Sequence, residues 1–395
     1  MACKYQSPIK VIRTASSPTP LGSLAPAAFM ARYWQRSAHL IRQAIPGFNG
    51  IVKLPALQRL AARDDVESRV VVREGARWHM EHGPFPARYW RNLPKERWTL
   101  LVQGLNQVVP AADALLQRFS FIPYARLDDV MVSYAERGGG VGPHVDSYDV
   151  FLLQGLGKRQ WRISRQRDHA LDPRAPLKIL KDFRPQRTWT LAPGDMLYLP
   201  PHIAHDGIAL EPCTTYSIGF RAPRYAELLA ELFAEPQSSR AAIAHYRDPG
   251  LRPTRHPAEL PQTMVDGLAD TLRRLRFSRR VLEDVIGATL TTPKATVVFD
   301  RPLRVLPMHR FRDRARAGGV RLDAKSLMLY ASESFYINGE RTRPAATARS
   351  ALRWLADRRT MPSRLADGSA IDALHDWYRA GWIHLAVDHP NDEDQ

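Results

Sequence analysis

The chain has 395 residues, of which 57 are lysine or arginine and 40 aspartate or glutamate, for a formal net charge of +17 with histidine neutral. Only nine of the basic residues are lysine, and so lopsided an arginine excess reflects coding preference as readily as an anionic partner, so bulk charge assigns no function. A composition 44% hydrophobic and 25% charged excludes a disordered polymer, two cysteines (Cys3 and Cys213) exclude a disulfide framework or a thiolate metal site, and no apolar run approaches the roughly 18 residues of a membrane span.

At roughly 100–200 residues per domain the length predicts two or three domains, and the scarcity of cysteine makes the cytoplasm the natural compartment. Residues 1–24 carry Lys4, Lys10 and Arg13 among Ser, Thr and Pro with no apolar period, and read as a flexible basic leader without a signal peptide. From Pro26 the spacing of Phe29, Tyr33, Trp34, Leu40, Ile41 and Ile45 is helix-like ahead of a short strand, and helical segments then alternate with short β runs to residue 120. Between Asp129 and Arg221 the texture changes to strand-like runs at 130–134, 149–154, 159–163, 187–191, 195–199 and 214–220. Turn residues bound them: Gly138 to Gly140, Gly155 and Gly157, Pro193 and Gly194, Pro200 and Pro201. Many short strands so punctuated predict an α+β chain with a mainly β core, a jelly-roll double-stranded β-helix.

After Pro223 the pattern is helical again, at 226–233 and beyond a linker at 252–257. The last hundred residues predict a hairpin (327–330 with 334–339), helices at 346–357 and 370–380 and a terminal strand at 382–387, a winged-helix-like arrangement. The expected division is a leader 1–24, a catalytic domain 25–223, a helical segment 224–295 and a C-terminal domain 296–395.

The chemistry concentrates at Gly138, Gly139, Gly140, Val141, Gly142, Pro143, His144, Val145 and Asp146. Residues i and i+2 of a strand share a face, so His144 and Asp146 can offer an imidazole and a carboxylate to one ion. A third ligand must return from a later strand, and both His202 and His205, behind Pro200 and Pro201, are available. Two histidines and a carboxylate with positions left open form the facial triad of non-haem Fe(II) oxygenases.

Taken with the stretches 78–85, 98–106, 138–151, 155–161, 193–195 and 216–223, these residues resemble the JmjC-type 2-oxoglutarate oxygenases, and within them the bacterial ribosomal oxygenases of the YcfD/RoxA type. The resemblance covers residues 25–235 closely and is architectural beyond. It implies a cupin-like JmjC fold whose Fe(II) is held by His144, Asp146 and His205, with His202 a neighbour, and O2 and 2-oxoglutarate as cosubstrates. The distal carboxylate of 2-oxoglutarate then falls to Arg159 assisted by Ser133, while Lys158, on the opposite strand face, is a solvated turn charge. The implied substrate is an arginine of the large-subunit ribosomal protein numbered sixteen, hydroxylated at its β-carbon and held by Asp129, Met131, Tyr148 and Ser217, with Asp128 and Asp149 as further acidic groups beside the metal strand. A homodimer through residues 224–295 is implied as well, and no membrane partner.

Two other readings stand beside this one. The same fold serves histidine hydroxylation, lysine demethylation or metal-assisted isomerisation. Alternatively the winged helix is the working part, as a nucleic-acid-binding regulator: residues 273–316 hold twelve Arg or Lys against four Asp or Glu. That run lacks interleaved aromatics and reads better as a solvated helix face, so nucleic acid is not the favoured partner.

Overall fold

The computed structural model describes residues 19–234, 245, 260–366 and 368–386; most of the basic leader, the 252–257 linker and residue 387 lie outside them. The chain divides into two compact units between Arg221 and Ala222.

The strands of the first unit, in chain order, are β1 (His39–Ile41), β2 (Ser68–Glu74), β3 (Arg77–His82), β4 (Trp98–Val102), β5 (Leu127–Ala135), β6 (His144–Val145), β7 (Asp149–Gln154), β8 (Arg159–Ser164), β9 (Arg187–Leu191), β10 (Met196–Leu199), β11 (Ala204–Ala209) and β12 (Cys213–Phe220). They form an eight-stranded sheet in the order β1-β10-β7-β12-β5-β4-β2-β3 and a four-stranded sheet in the order β6-β11-β8-β9. From β5 to β12 the chain crosses repeatedly from one sheet to the other, which makes this a jelly roll.

β7 shows why its sequence is an unbroken apolar run. Val150 and Leu152 point between the sheets, where they pack with Trp161, Ile163, Leu191, Leu197 and Leu199. Phe151 and Leu153 point the other way, into a core shared with Phe29, Phe119, Tyr198 and Phe220. Both faces of the strand are buried, so alternation of polarity disappears. Phe151 is fully buried and its ring centroid lies 4.9–5.6 Å from those of Phe29, Phe119, Tyr198 and Phe220; its truncation to Ala is expected to cost about 3–5 kcal/mol.

The helix-like spacing from Phe29 to Ile45 does not continue as helix. The helix is Pro26–Arg32, Gln35 turns the backbone to φ 55°, and Leu40 and Ile41 pair with Leu197 and Met196 as part of β1. The apolar residues keep their burial, but a sheet edge captures them, and tertiary pairing outweighs a local period.

In the second unit the helix Tyr225–Ala234 is followed by Gln262–Arg274, Arg279–Thr291 and Met308–Gly318. The Ser278 hydroxyl accepts from the Val281 amide and caps the third of these. The expected hairpin is a three-stranded meander, Met328–Ala331, Ser334–Ile337 and Glu340–Thr342, and helix Arg279–Thr291 packs on it. Gly287 permits that approach, since a Cβ there would fall 2.3 Å from the Tyr336 ring. Helices Ala346–Arg358 and Ile371–Arg379 follow, and Ile383–Leu385 closes a second small sheet.

Candidate active site

β6 and β11 are antiparallel, with His144 directly opposite His205. The glycine-rich turn before β6 delivers His144 to that position. A Cβ at Gly139 would stand 2.4 Å from the Trp98 carbonyl oxygen, and one at Gly140 would stand 2.5 Å from that of Gly207, so the chain threads there only without side chains.

The two imidazoles are oriented alike. His144 Nδ1 lies 2.9 Å from the Gly142 carbonyl and His205 Nδ1 lies 2.9 Å from that of Ile203. A carbonyl only accepts, so each Nδ1–H donates and each Nε2 is left as a lone-pair donor toward the cavity. Asp146 Oδ2 is 3.9 Å from His144 Nε2 and 3.6 Å from His205 Nε2, and the three ligating atoms lie within 4.8 Å of one another. Burial first, and the neighbouring His144 second, push the His205 pKa down to about 4 against the pull of Asp146, which keeps the ring neutral as a ligand must be. This donor set, two neutral imidazoles and one carboxylate, suits a divalent first-row metal.

His202 is not brought into the cluster. It sits exposed on the turn before β11 at φ 64°, and its backbone amide donates to the Asp146 carbonyl at 2.8 Å. Its contribution is made by the main chain.

The cluster opens into a cavity of about 510 Å³ between the two sheets. Arg159 reaches into it from β8, is 4% exposed, and gives one hydrogen bond, from Nη1 to Ser133 Oγ at 3.2 Å on the opposite sheet. Its Nε and Nη2 are buried without partners among the described residues. A guanidinium does not lose its charge, and two buried donors in this fork arrangement match the two oxygens of a carboxylate. Lys158 is exposed at the turn, as its opposite parity predicts. The residues present therefore fit both a metal ion and a dicarboxylate.

Asp129, Met131, Tyr148 and Ser217 all line the same cavity. Asp129 is buried and accepts from Gln103 Nε2 at 2.7 Å, and Ser217 sits across the β5–β12 ladder from Met131. Tyr148 is 39% exposed; partial burial and then the carboxylates of Asp146, Asp129 and Asp128 raise its pKa, so the phenol stays protonated. Asp128 lines the cavity too, 3.4 Å from Arg221 Nε. Asp149 does not belong with them. It is fully buried on the other face of the large sheet, where Tyr198 Oη, Gln35 Nε2 and Arg126 Nη2 all bond it. The strand reverses its facing at every residue, and Asp149 falls on the core side with Phe151. Arg69, Gln103, Trp161 and Thr215 also line the cavity; nothing local in the sequence marks them, because β-pairing over long separations is what gathers them.

Comparison with known proteins gives concordant results. A JmjC domain model matches residues 114–228, a ROXA-like winged helix model 273–384, and an AraC-like ligand binding domain model 185–278. The ribosomal protein uL16 3-hydroxylase of Escherichia coli (strain K12) is 32% identical over 329 residues, 81% of this chain and 87% of that protein. Two solved structures of the Escherichia coli ribosomal oxygenase YcfD, one with cobalt and 2-oxoglutarate and one with cobalt and succinic acid, match at TM-scores of 0.79 and 0.78 and identities of 30% and 31%. Each comparison covers 92% of this chain and 98% of the other.

Proposed function

Because the chain belongs to the JmjC-type ribosomal oxygenases, we propose that it is an Fe(II)- and 2-oxoglutarate-dependent hydroxylase acting on the β-carbon of an arginine in ribosomal protein uL16, the large-subunit protein numbered sixteen. One observation carries the reading: a buried arginine with two unused donors shares a cavity with three preoriented metal ligands.

In this reading His144 Nε2, the Asp146 carboxylate and His205 Nε2 hold the iron, and Arg159 with Ser133 takes the distal carboxylate of 2-oxoglutarate. When bound, the iron with 2-oxoglutarate and O2 supplies insertion of one oxygen atom into a C–H bond, with succinate and CO2 as by-products. The protein's own part is binding and placement. Asp129, steadied by Gln103, accepts from the guanidinium of the substrate arginine. Met131 and Tyr148 flank its aliphatic stem and Ser217 bonds the peptide or side chain, while Leu101, Val150 and Leu152 keep the wall dry. No side chain is required as a general acid or base.

The test is incubation with uL16 of the same organism, iron and 2-oxoglutarate, with the mass gain of one oxygen atom located by fragmentation. Modification of an arginine side chain at its β-carbon is the expected result. An unmodified arginine with a hydroxylated histidine or demethylated lysine instead would transfer the protein to another JmjC reaction.

The reading extends to a cytoplasmic homodimer through the helices between residues 224 and 295. Helix Gln262–Arg274 supports it by leaving Met264, Val265, Leu268 and Leu272 exposed along one face, at 43–61%. Light scattering should give twice the chain mass for the wild type and the single chain mass for Leu268→Glu. The basic run supports nucleic acid poorly, since its Arg273 and Arg279 are already paired with Asp270 and Glu283.

A further inference from the structure

Between the metal ligands and Arg159 lies a buried group that the reading above does not use. On the inner face of the small sheet the β8–β11 register sets Ile163 beside His205, Trp161 beside Gly207 and Arg159 beside Ala209. The Trp161 ring thus sits midway along the site, its centroid 5.9 Å from that of His205 and 5.8 Å from the Arg159 guanidinium carbon. The neighbouring strand is shaped to receive it. A Cβ at Gly207 would stand 2.7 Å from indole Cη2 and Cζ3, so glycine alone lets the ring lie across β11. That turns the benzo edge to Gly207 and leaves the pyrrole edge, which carries Nε1, on the other side.

Trp161 lines the cavity, is 5% exposed, and its Nε1 has no hydrogen-bond partner among the described residues. A buried indole usually finds an acceptor for its N–H, and leaving it unmatched is destabilising. Arg159, two residues earlier on the same face of the same strand, leaves donors open to the same cavity. Three orphaned donors on two neighbouring side chains call for one acceptor-rich ligand.

We propose that Trp161 is a positioning residue for the dicarboxylate cosubstrate: its ring is the floor on which the carbon chain lies between the metal and Arg159, and its Nε1–H donates to a carboxylate oxygen of that molecule. The inference rests on the cavity being the 2-oxoglutarate site. Gly207 serves it indirectly, by giving the ring room.

The test uses the full chain loaded with Zn(II), a diamagnetic ion. Heteronuclear NMR follows the indole N–H resonances, with that of Trp161 identified by its loss in Trp161→Phe. Titration with 2-oxoglutarate shifts this resonance in the wild type. In calorimetry Trp161→Phe binds 2-oxoglutarate roughly tenfold more weakly, as loss of a hydrogen bond to a charged group should. With Fe(II) in place of Zn(II), its KM for 2-oxoglutarate rises to match while kcat stays at the wild-type value, and Zn(II) affinity is unchanged, a split that a general loss of stability would not produce. Gly207→Ala, which displaces the ring, weakens 2-oxoglutarate further. An indole resonance that stays fixed while 2-oxoglutarate binds, or a Trp161→Phe affinity equal to wild type, overturns the assignment. Failure of the wild type itself to bind 2-oxoglutarate overturns the functional reading instead.

Discussion

In the C-terminal unit the buried polar side chains are matched from within: Thr291 donates to Gly287, Ser326 to Trp382, Asn338 to Ser326, and Ser334 accepts from Arg343. Asp284 gathers Tyr336, Arg341 and Arg343 at 2.7–2.9 Å. The jelly roll contains such self-sufficient knots as well, Asp149 being the clearest, yet around its cavity it leaves Arg159 and Trp161 with buried donors facing no acceptor. A fold that satisfies itself is complete without a ligand. One that buries a cation with unused donors is stabilised by an anion that binds them, because binding only to the folded state raises its stability.

The sharpest way to break that contrast is to remove the ligands. His144→Ala or Asp146→Ala should lower divalent-metal affinity by more than about a hundredfold and abolish 2-oxoglutarate turnover, with metal-free unfolding near that of the wild type, read by calorimetry and thermal melts. Full turnover in either variant would end the oxygenase reading. Arg159→Ala comes next: 2-oxoglutarate affinity should fall by roughly a hundredfold with metal affinity unchanged. Added 2-oxoglutarate should then no longer raise the melting temperature.

The C-terminal unit should answer in the opposite currency. Asp284→Ala removes the acceptor of the Tyr336 hydroxyl, which keeps only its bond with Ser334, and is expected to cost roughly 1–3 kcal/mol in denaturant unfolding, most of it from that lost bond, since the arginines are partly solvated. Its 2-oxoglutarate affinity should equal that of the wild type; a large loss would erase the distinction between the units. Smallest of all, His202→Asn keeps a residue that tolerates positive φ and preserves the backbone bond to Asp146, so metal affinity should not change.

How much of this was legible depends on how far apart the deciding residues are in the chain. His144 and Asp146 are two residues apart on one local stretch, and the strand runs from 149 to 220 declare themselves by turn residues and β-branched or aromatic content. The identity of the second histidine is less local, for His202 and His205 differ only in which is on the turn and which on the strand. Asp149 misleads because its facing depends on a parity fixed by burial on both sides of β7. Trp161 and Gly207 are forty-six positions apart in the chain and become a pair only through the ladder, so no spacing rule finds them.

That ladder has one more consequence. β6 is two residues long and has little hold of its own, whereas β8 and β11 are locked by six consecutive pairs, with Asp206 bonded to Arg162 on the outer face. Sliding β11 by a single position would carry His205 outward and Asp206 inward, exchange Gly207 for a bulkier neighbour under the indole, and tear the Asp206 ion pair. A chain that has threaded its strands one step out of place therefore cannot bring His205 to His144 and Asp146, so under the proposed assignment the fraction of protein that loads metal counts the fraction folded in register.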